Sequence, residues 1–372
     1  MPIHNAFDPE QTARIALTYV PGFGPRTLKR LFQLEATYAG VFRGGSIPAN
    51  LPGGVQSALL RAARENVLSE RWKQAESSQQ RARAYGARPL LLGHPEYPTW
   101  LAEIPDPPPL LWCMGDPLAL QRELIAVVGT RRRTNYGVTA TQQVVSQLAR
   151  LGLGIVSGLA YGIDIVAHKA CVAEGACGVV VLGSGLDVVY PSAHLPVVRQ
   201  LLERGGCVLS EFDFGTKPHR QNFPTRNRII SGLSRVVVLI EAFRDGGAVH
   251  TARMALEHNR DVWAVPGGWD YPASEGCNRL IADGEARLLA APDDIPALLG
   301  RAPSPKAVQL DVLSPDLERV WQSLAAHPKS LDVLVSETGL TTTEVLVHLS
   351  RLELLGRVHQ GPAADYRRRD GL

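Results

Sequence analysis

The sequence predicts an α/β protein: a Rossmann-like parallel sheet preceded by a small helical domain and followed by a winged helix. Three observations predict it. Short apolar runs alternate with helical patterns between about residues 110 and 265, and such runs mark strands buried on both faces of a parallel sheet. Helical periodicity fills the chain as far as about residue 88. A short stretch containing Pro303 and Pro305 precedes a last unit with three amphipathic helices. The expected divisions are a helical domain of helix-hairpin-helix or SAM-like type over 1–88, a Rossmann-like domain over 89–300, a linker over 301–312 and a winged helix over 313–372.

In chain order, Ile15, Leu17 and Val20 precede the turn Pro21-Gly22-Phe23-Gly24. Pro25 then opens a helix carrying Leu28, Leu31 and Phe32 at helical spacing. Helix, glycine-rich hairpin and helix suit either a DNA phosphate at the hairpin amides or an ordinary protein contact. The run Pro105–Pro109 breaks any helix before a strand at Leu110–Met114. Further strands are expected at Ile125–Val128, Gly154–Val156, Gly178–Leu182, Cys207–Leu209, Val236–Ile240 and Val262–Val265, with helices such as Val138–Leu151 and Ile163–Ala173 between them. In the last unit, Leu317, Val320, Trp321 and Leu324 make one helix, and a second begins near Ser330. A third is opened by the capping box Thr341-x-x-Glu344, buries Val345, Leu349 and Leu352, and ends at Gly356. A wing is expected over Arg357–Tyr366.

Composition narrows the class. The chain has 372 residues, 45% hydrophobic and 20% charged, as a globular protein does. No apolar run is long enough to cross a bilayer and the first ten residues lack the apolar segment of a signal peptide, so the cytoplasm is the expected location. Cys113, Cys171, Cys177, Cys207 and Cys277 form no C-x-x-C pair, which suggests buried free thiols rather than disulfides or a metal site. The net charge of +3 says little, but its distribution says more. Arg131-Arg132-Arg133 follows an apolar strand, and Lys217, Arg220, Arg226 and Arg228 form a second basic group, the kind that attracts polyanions. Arg61–Arg88 holds seven Arg or Lys against three Glu and reads as a solvated helix face. Leu313–Leu372 holds seven cations against eight carboxylates, too few for strong duplex binding, so its expected role is protein contact.

The first strand of the alternating region ends in Gly129-Thr130-Arg131-Arg132-Arg133. Backbone amides and guanidiniums therefore stand at the carboxyl end of the sheet, where open α/β folds bind ligands. This is not the G-x-G-x-x-G of a dinucleotide loop, and the second strand ends in Ser157-Gly158 rather than in a ribose-binding carboxylate. No Walker sequence is present, and no cofactor is expected. Asp164 and His168, four apart on one helix face, can be an acid–base pair or structural; a carboxylate opposing the helix dipole favours the structural role. The stretch Gly215–Ser231 gathers Lys217, Arg220, Arg226 and Arg228 around Phe223, with Asn222 and Asn227. Cations for phosphates, a ring for stacking and amides for base edges are the ingredients of single-strand recognition. By residue type alone, a basic loop with a buried Phe fits as well.

Several phrases in order resemble one family. They are VGTRRRTNYG (128–137), SGLAYGIDIVAH (157–168), LGSGLDVVYP (182–191), LSEFDFGT (209–216), NFPTRNRIISGLS (222–234), GGAVHTARMALEHNRDVWAVPG (246–267) and GCNRLIADG (276–284). With the hairpin PGFGPRTLKRLF (21–32) and the C-terminal helices, nearly the whole chain resembles the DprA/Smf (DNA processing protein A) family. That resemblance implies a non-enzymatic protein that binds and protects incoming single-stranded DNA and loads RecA onto it in natural transformation and recombination. The implied DNA contacts are Gly129, Thr130, Arg131, Arg132, Ser157, Gly158, Gly162, Lys217, Arg220, Asn222, Phe223, Arg226, Asn227 and Arg228. Arg133 stands where the family usually has Pro. The resemblance also implies a homodimer with a RecA surface close by, for which Leu280, Ile281, Leu288 and Leu289 are the apolar candidates; all four being core is the competing reading. A single-stranded-DNA-binding protein is a further candidate partner. The enzyme alternative is a Rossmann-like nucleoside-monophosphate phosphoribohydrolase, but Met254 stands where its P-G-G-x-G-T-x-x-E phrase has the catalytic glutamate.

Overall fold

Helices open the chain in the computed structural model, which describes residues 7–34, 36–301, 315–324, 328–354, 358–361 and 365–368. These are α1 (Pro9–Thr18), α2 (Pro25–Phe32), α3 (Ala39–Phe42), α4 (Gly53–Arg64) and α5 (Val67–Ala84). The Asp8 carboxylate accepts from the N–H groups of Glu10 and Gln11 and Pro9 fills the first position, which starts α1. The hairpin turn needs Gly22, whose φ is +86°. Lys29 of α2 is engaged within the protein: its Nζ donates to the carbonyls of Ala102 and Ile104 at 2.9 and 3.2 Å.

The alternating region follows as β1 (Ala87–Leu91), α6 (Thr99–Glu103), β2 (Leu110–Gly115), β3 (Leu124–Val128), α7 (Asn135–Arg150), β4 (Gly154–Ser157), α8 (Ile163–Ala173), β5 (Gly178–Val181), α9 (Leu195–Glu203), β6 (Cys207–Ser210), α10 (Asn222–Leu233), β7 (Val236–Leu239), α11 (Gly247–Glu257), β8 (Asp261–Ala264), α12 (Glu275–Ala282), β9 (Arg287–Leu288) and α13 (Ile295–Leu298). Nine strands form one sheet in the order β1-β2-β6-β5-β4-β3-β7-β8-β9. From β6 to β9 every neighbouring pair is parallel, while β1 and β2 are added antiparallel at one edge. Strands β3 to β7 are buried along their whole length, as all-apolar runs under helices on both faces must be. Strand order reverses at β3: β4, β5 and β6 follow on one side, β7, β8 and β9 on the other. Between β3 and β7 lies the switch point at whose carboxyl side open α/β sheets form a crevice.

Two compact units are present, Met1–Ala302 and Pro303–Leu372. The N-terminal helices share the first with the sheet. The division expected at residue 88 falls inside β1, and one apolar core runs from Ala13 to Leu299. The physical reason is that α5 leads directly into β1 and docks beside the β6 end of the sheet. Ser78 Oγ donates to Asp213 at 2.8 Å, Arg81 donates to the Phe214 carbonyl at 3.2 Å, and the Phe214 ring stands 5.9 Å from Tyr85 and 5.4 Å from Trp112. Most of the expected linker, 302–312, lies outside the described residues. In the second unit α14 (Pro315–Ser323), β10 (Lys329–Ser330), α15 (Leu331–Thr338), α16 (Thr342–Leu354), β11 (Val358–Gln360) and β12 (Asp365–Arg368) make three helices and an antiparallel sheet of order β10-β12-β11. This is a winged helix. Its capping box forms as expected: the Thr341 N–H donates to the Glu344 carboxylate at 2.9 Å, and the Glu344 N–H returns to Thr341 Oγ1 at 3.3 Å. The expected helix stop at Gly356 lies outside the described residues.

All five cysteines are buried and free. Among the described residues, no helix is long and apolar enough to cross a membrane.

Candidate nucleic-acid interface

A groove of about 430 Å³ opens at the switch point, between the loop after β3 and the loop after β7. Close packing shapes the first loop. A Cβ on Gly129 would lie 2.5 Å from Ile163 and 2.9 Å from the Glu241 carbonyl, so only glycine fits. Glu241, 1% exposed at the end of β7, holds the loop from below. Its carbonyl accepts from the Thr130 N–H at 2.7 Å, and its carboxylate accepts from the Thr134 N–H at 3.0 Å and the Thr134 hydroxyl at 2.5 Å. Thr134 Oγ1 in turn caps α7 by accepting from the Gly137 N–H. The loop is thereby held with Arg131, Arg132 and Arg133 exposed.

The first two arginines each cover a ring. The Arg131 guanidinium lies 5.1 Å from the centre of Phe223, and that of Arg132 lies 4.8 Å from the centre of Phe243. Phe223 and Phe243 both line the groove, with Arg220, Asn227 and Gly246-Gly247. Phe223 also walls a smaller niche with Tyr161 and Tyr190; the Tyr190 and Phe223 rings are 6.4 Å apart. Asn222 is anchored by donating to the Gly183 carbonyl at 3.1 Å. Lys217 is exposed on the approach to α10.

Other expected contacts turn out to be internal. Ser157 is fully buried and donates to the Val127 carbonyl at 2.7 Å. Gly158 is glycine because a Cβ there would overlap the Arg226 guanidinium and the Asp164 carboxylate. Gly162, at φ +90°, lies against the Thr130 carbonyl, while Ile163 N–H donates to that same oxygen at 3.1 Å. Arg226 is 4% exposed and donates to the Val181 carbonyl at 2.6 Å. Arg228 is buried away from the groove against Glu211 and, at 3.5 Å, Asp106. Ser157, Arg226 and Arg228 are thus all engaged within the protein: Ser157 and Arg228 lie beneath the groove, while Arg226 lines its floor and is held by the Val181 carbonyl.

The electrostatics of this floor follow from burial. Burial pushes the Asp164 carboxyl up, while Arg226 and the Ala160 N–H pull it back. Burial likewise pushes the Arg226 guanidinium down, and Asp164 opposes that. His168 is lowered to about 4 by burial and donates through Nε2 to the Gly158 carbonyl at 2.7 Å. Asp164 and His168 are thus loop supports, as the dipole argument favoured. Glu211 is raised to about 7 by burial, with Arg228 opposing and Asp106 adding to the rise.

These two shifts have opposite consequences for stability. Neutral His168 stabilises the fold above about pH 6.5, and that contribution is lost as pH falls through about 4. Protonated Glu211 stabilises below about pH 4.5, and that contribution is lost as pH rises through about 7. Each shift corresponds to about 3 kcal/mol. Relative to the unmodified protein, Glu211→Gln should lose stability as pH falls from 7 to 4.5, and His168→Gln should gain it between 6.5 and 4. Urea titrations across that range read both slopes; parallel pH profiles for all three proteins would refute the assignment.

The dimer candidates divide. Leu280 and Leu289 are 2% and 1% exposed within the single chain, so they are core: Leu280 is on the inner face of α12 and Leu289 bonds into the sheet next to β8. Ile281 is half-buried, and Leu288, on edge strand β9, is 47% exposed.

Sequence reasoning missed Phe243, Glu241, Tyr161 and Tyr190. Phe243 and Glu241 carry a usable signal, since both lie within four residues of the carboxyl end of β7, beside the switch point. Met254 sits half-buried on α11, where the phosphoribohydrolase phrase has its glutamate. Among the described residues, no group of three or more His, Cys, Asp or Glu side chains is placed to hold a metal ion.

Sheet, switch point and groove define a class: a Rossmann-like α/β protein whose ligand crevice is floored by glycine loops and rimmed by guanidinium-covered rings, followed by a winged helix. Within that class the chain belongs to the DNA processing protein A family. The family of DNA recombination-mediator protein A matches residues 88–300, and the DprA winged helix domain matches residues 301–364. Protein Smf of Synechocystis is 34% identical over 97% of this chain and 99% of its own length. The X-ray structure of DNA processing protein A from Streptococcus pneumoniae has a TM-score of 0.61 at 32% identity, covering 76% of this chain and 95% of that one. A structure of DNA processing protein A from Helicobacter pylori, described for its single-stranded-DNA binding mode, has a TM-score of 0.53 at 28% identity and covers 58% of this chain and 96% of that one.

Proposed function

We propose that this protein binds single-stranded DNA along the carboxyl edge of its sheet, protects incoming strands and delivers them to the RecA recombinase in natural transformation and recombination. The observation that carries the reading is the pair of guanidinium-covered rings, Arg131 over Phe223 and Arg132 over Phe243, at one groove. Rings that stack any base, beside cations that follow any phosphate chain, suit single strands of any sequence. The similarity to the Helicobacter pylori protein and the family's description as a recombination mediator support the same reading. The protein acts by binding rather than turnover, consistent with Asp164 and His168 being committed to the floor.

The winged helix is a protein-contact unit in this reading. Several of its cations are engaged internally: Lys329 with Glu337 at 2.8 Å, Arg319 with Asp316 at 3.6 Å, and Arg368 over Trp321 at 4.5 Å. Because its core is separate from that of the first unit, protein ending at Ala302 should fold and bind oligothymidylate undiminished. A truncated protein that melts normally but no longer binds would move the site to the winged helix.

The homodimer is proposed to form at the β9 edge, with Leu288 and Ile281 as its apolar groups; an edge strand with an exposed Leu otherwise invites unregulated pairing. Leu288→Asp should give a folded monomer in light scattering that binds short strands normally and long strands weakly, since two linked grooves raise effective concentration. A dimer unaffected by Leu288→Asp would place the interface elsewhere.

A further inference from the structure

Trp269 is the most exposed large hydrophobic residue among those described, with 93% of its surface open. It lies in the loop between β8 and α12, and both ends of that loop are tied to the groove. At the first end, Val265 N–H donates to the Leu239 carbonyl at 2.9 Å, and the Pro266 carbonyl accepts from the Tyr136 hydroxyl at 2.6 Å. Tyr136 is in the first turn of α7, three residues after Arg133. At the second end, Gly276 N–H donates to the Ala242 carbonyl at 2.8 Å, and a Cβ on Gly276 would lie 2.8 Å from the Phe243 carbonyl. Ala242 and Phe243 are groove wall. The Asn278 side-chain amide bonds both the N–H and the carbonyl of Gly267, at 3.1 and 3.0 Å. The loop is thus a braced projection from the rim of the groove, with Trp269 at its tip.

We propose that Trp269 is a second stacking station, taken by a base of the single strand after it leaves the groove across the ends of β7 and β8. The inference rests on the groove reading above and extends its length. An indole left open to water forgoes a large apolar burial, and a protein anchor of that kind generally sits within an apolar patch. The exposed large side chains nearest in the loop and at its anchor are instead Tyr271 and Tyr136, and the exposed cations flanking the anchoring segments in sequence are Arg132, Arg133 and Arg244. Carboxylates are present too: Asp245, Asp270 and Glu275, the last paired with Arg244 at 3.7 Å. Rings interleaved with guanidiniums at the end of a cationic groove suit nucleic acid. From the niche at β5 to the end of β8 is four strand spacings, about 19 Å at ~4.8 Å each, so a short strand fills the groove and a longer one is needed to reach Trp269.

The test compares the full-length protein with Trp269→Ala and Trp269→Phe on oligothymidylates of about four and about twenty nucleotides. Trp269→Ala should weaken the long strand about tenfold and leave the short strand unchanged, and Trp269→Phe should restore most of the loss. The long strand should also protect from acrylamide a quenchable tryptophan signal that Trp269→Ala lacks. Unchanged long-strand affinity, or an equal loss on both lengths, overturns the inference and leaves the groove reading standing. Intact DNA affinity with a lost dimer or lost RecA loading makes Trp269 a protein anchor and also overturns it. Failure of the unmodified protein to bind either strand sinks the groove reading and this extension with it.

Discussion

Replacing Arg226 by Met should destabilise the fold by roughly 3–5 kcal/mol, the usual cost of removing one partner from a buried ion pair. Arg226 is 4% exposed, bonds the Val181 carbonyl and opposes the buried Asp164 carboxylate across Gly158. Without it, Asp164 must protonate or the loop after β4 must open. Arg131→Ala, in the lining of the same groove, should leave the melting temperature unchanged and weaken DNA binding instead. Thermal melts and oligonucleotide titrations of the two variants separate floor from contact surface. A stable Arg226→Met protein with a selective loss of DNA binding would return Arg226 to the contact set.

Phe223→Ala should cost roughly 1–3 kcal/mol of single-strand affinity, the value of one base–ring stack. The ring carries no charge, so the dependence of affinity on salt should keep its slope. Arg220→Glu should lower affinity and flatten that slope, because fewer counterions are released when a phosphate contact is lost. Titrations of both variants at several salt concentrations check the pair. If Phe223→Ala altered the slope as Arg220→Glu does, the ring would be acting by positioning the Arg131 guanidinium that covers it rather than by stacking.

Much of the fold was legible because apolar runs bounded by glycine or proline report strands buried on both faces. Strands β2 to β8 lie where those runs are, and helices α7 and α8 where the periodicity is. Strand β1 was not legible: Arg88 and Pro89 interrupt the run Ala87–Leu91, and both are tolerated because β1 is an edge. Strand β9 has two residues and no pattern to read. The helical domain appeared separate because its periodicity stops near residue 88, whereas the docking of α5 beside Phe214 depends on contacts between residues more than a hundred positions apart.

The site was legible as a region more than as a set of contacts. Gly215–Ser231 read as one basic patch by composition, yet α10 splits it by helical phase. Arg226 lies three and four residues before Ile229 and Ile230, on the buried face, a signal present in the sequence and outweighed by charge. Arg220 precedes the helix and stays exposed. Leu280 similarly shares its helix face with buried Cys277, while Leu288 points outward from the sheet edge. Phe243 went unread because a lone ring in a loop has no periodicity; its position after β7, beside the switch point, is what gives it meaning.

Preference of the groove for single strands can be read from equilibrium binding of a single-stranded oligonucleotide and its duplex, each across a salt series. The single strand should bind more tightly than the duplex at every salt concentration, with a residual affinity at high salt that Phe223→Ala reduces. Equal affinity for strand and duplex, with both lost together as salt rises, would show a surface that reads phosphates alone and would rule out single-strand recognition at the groove.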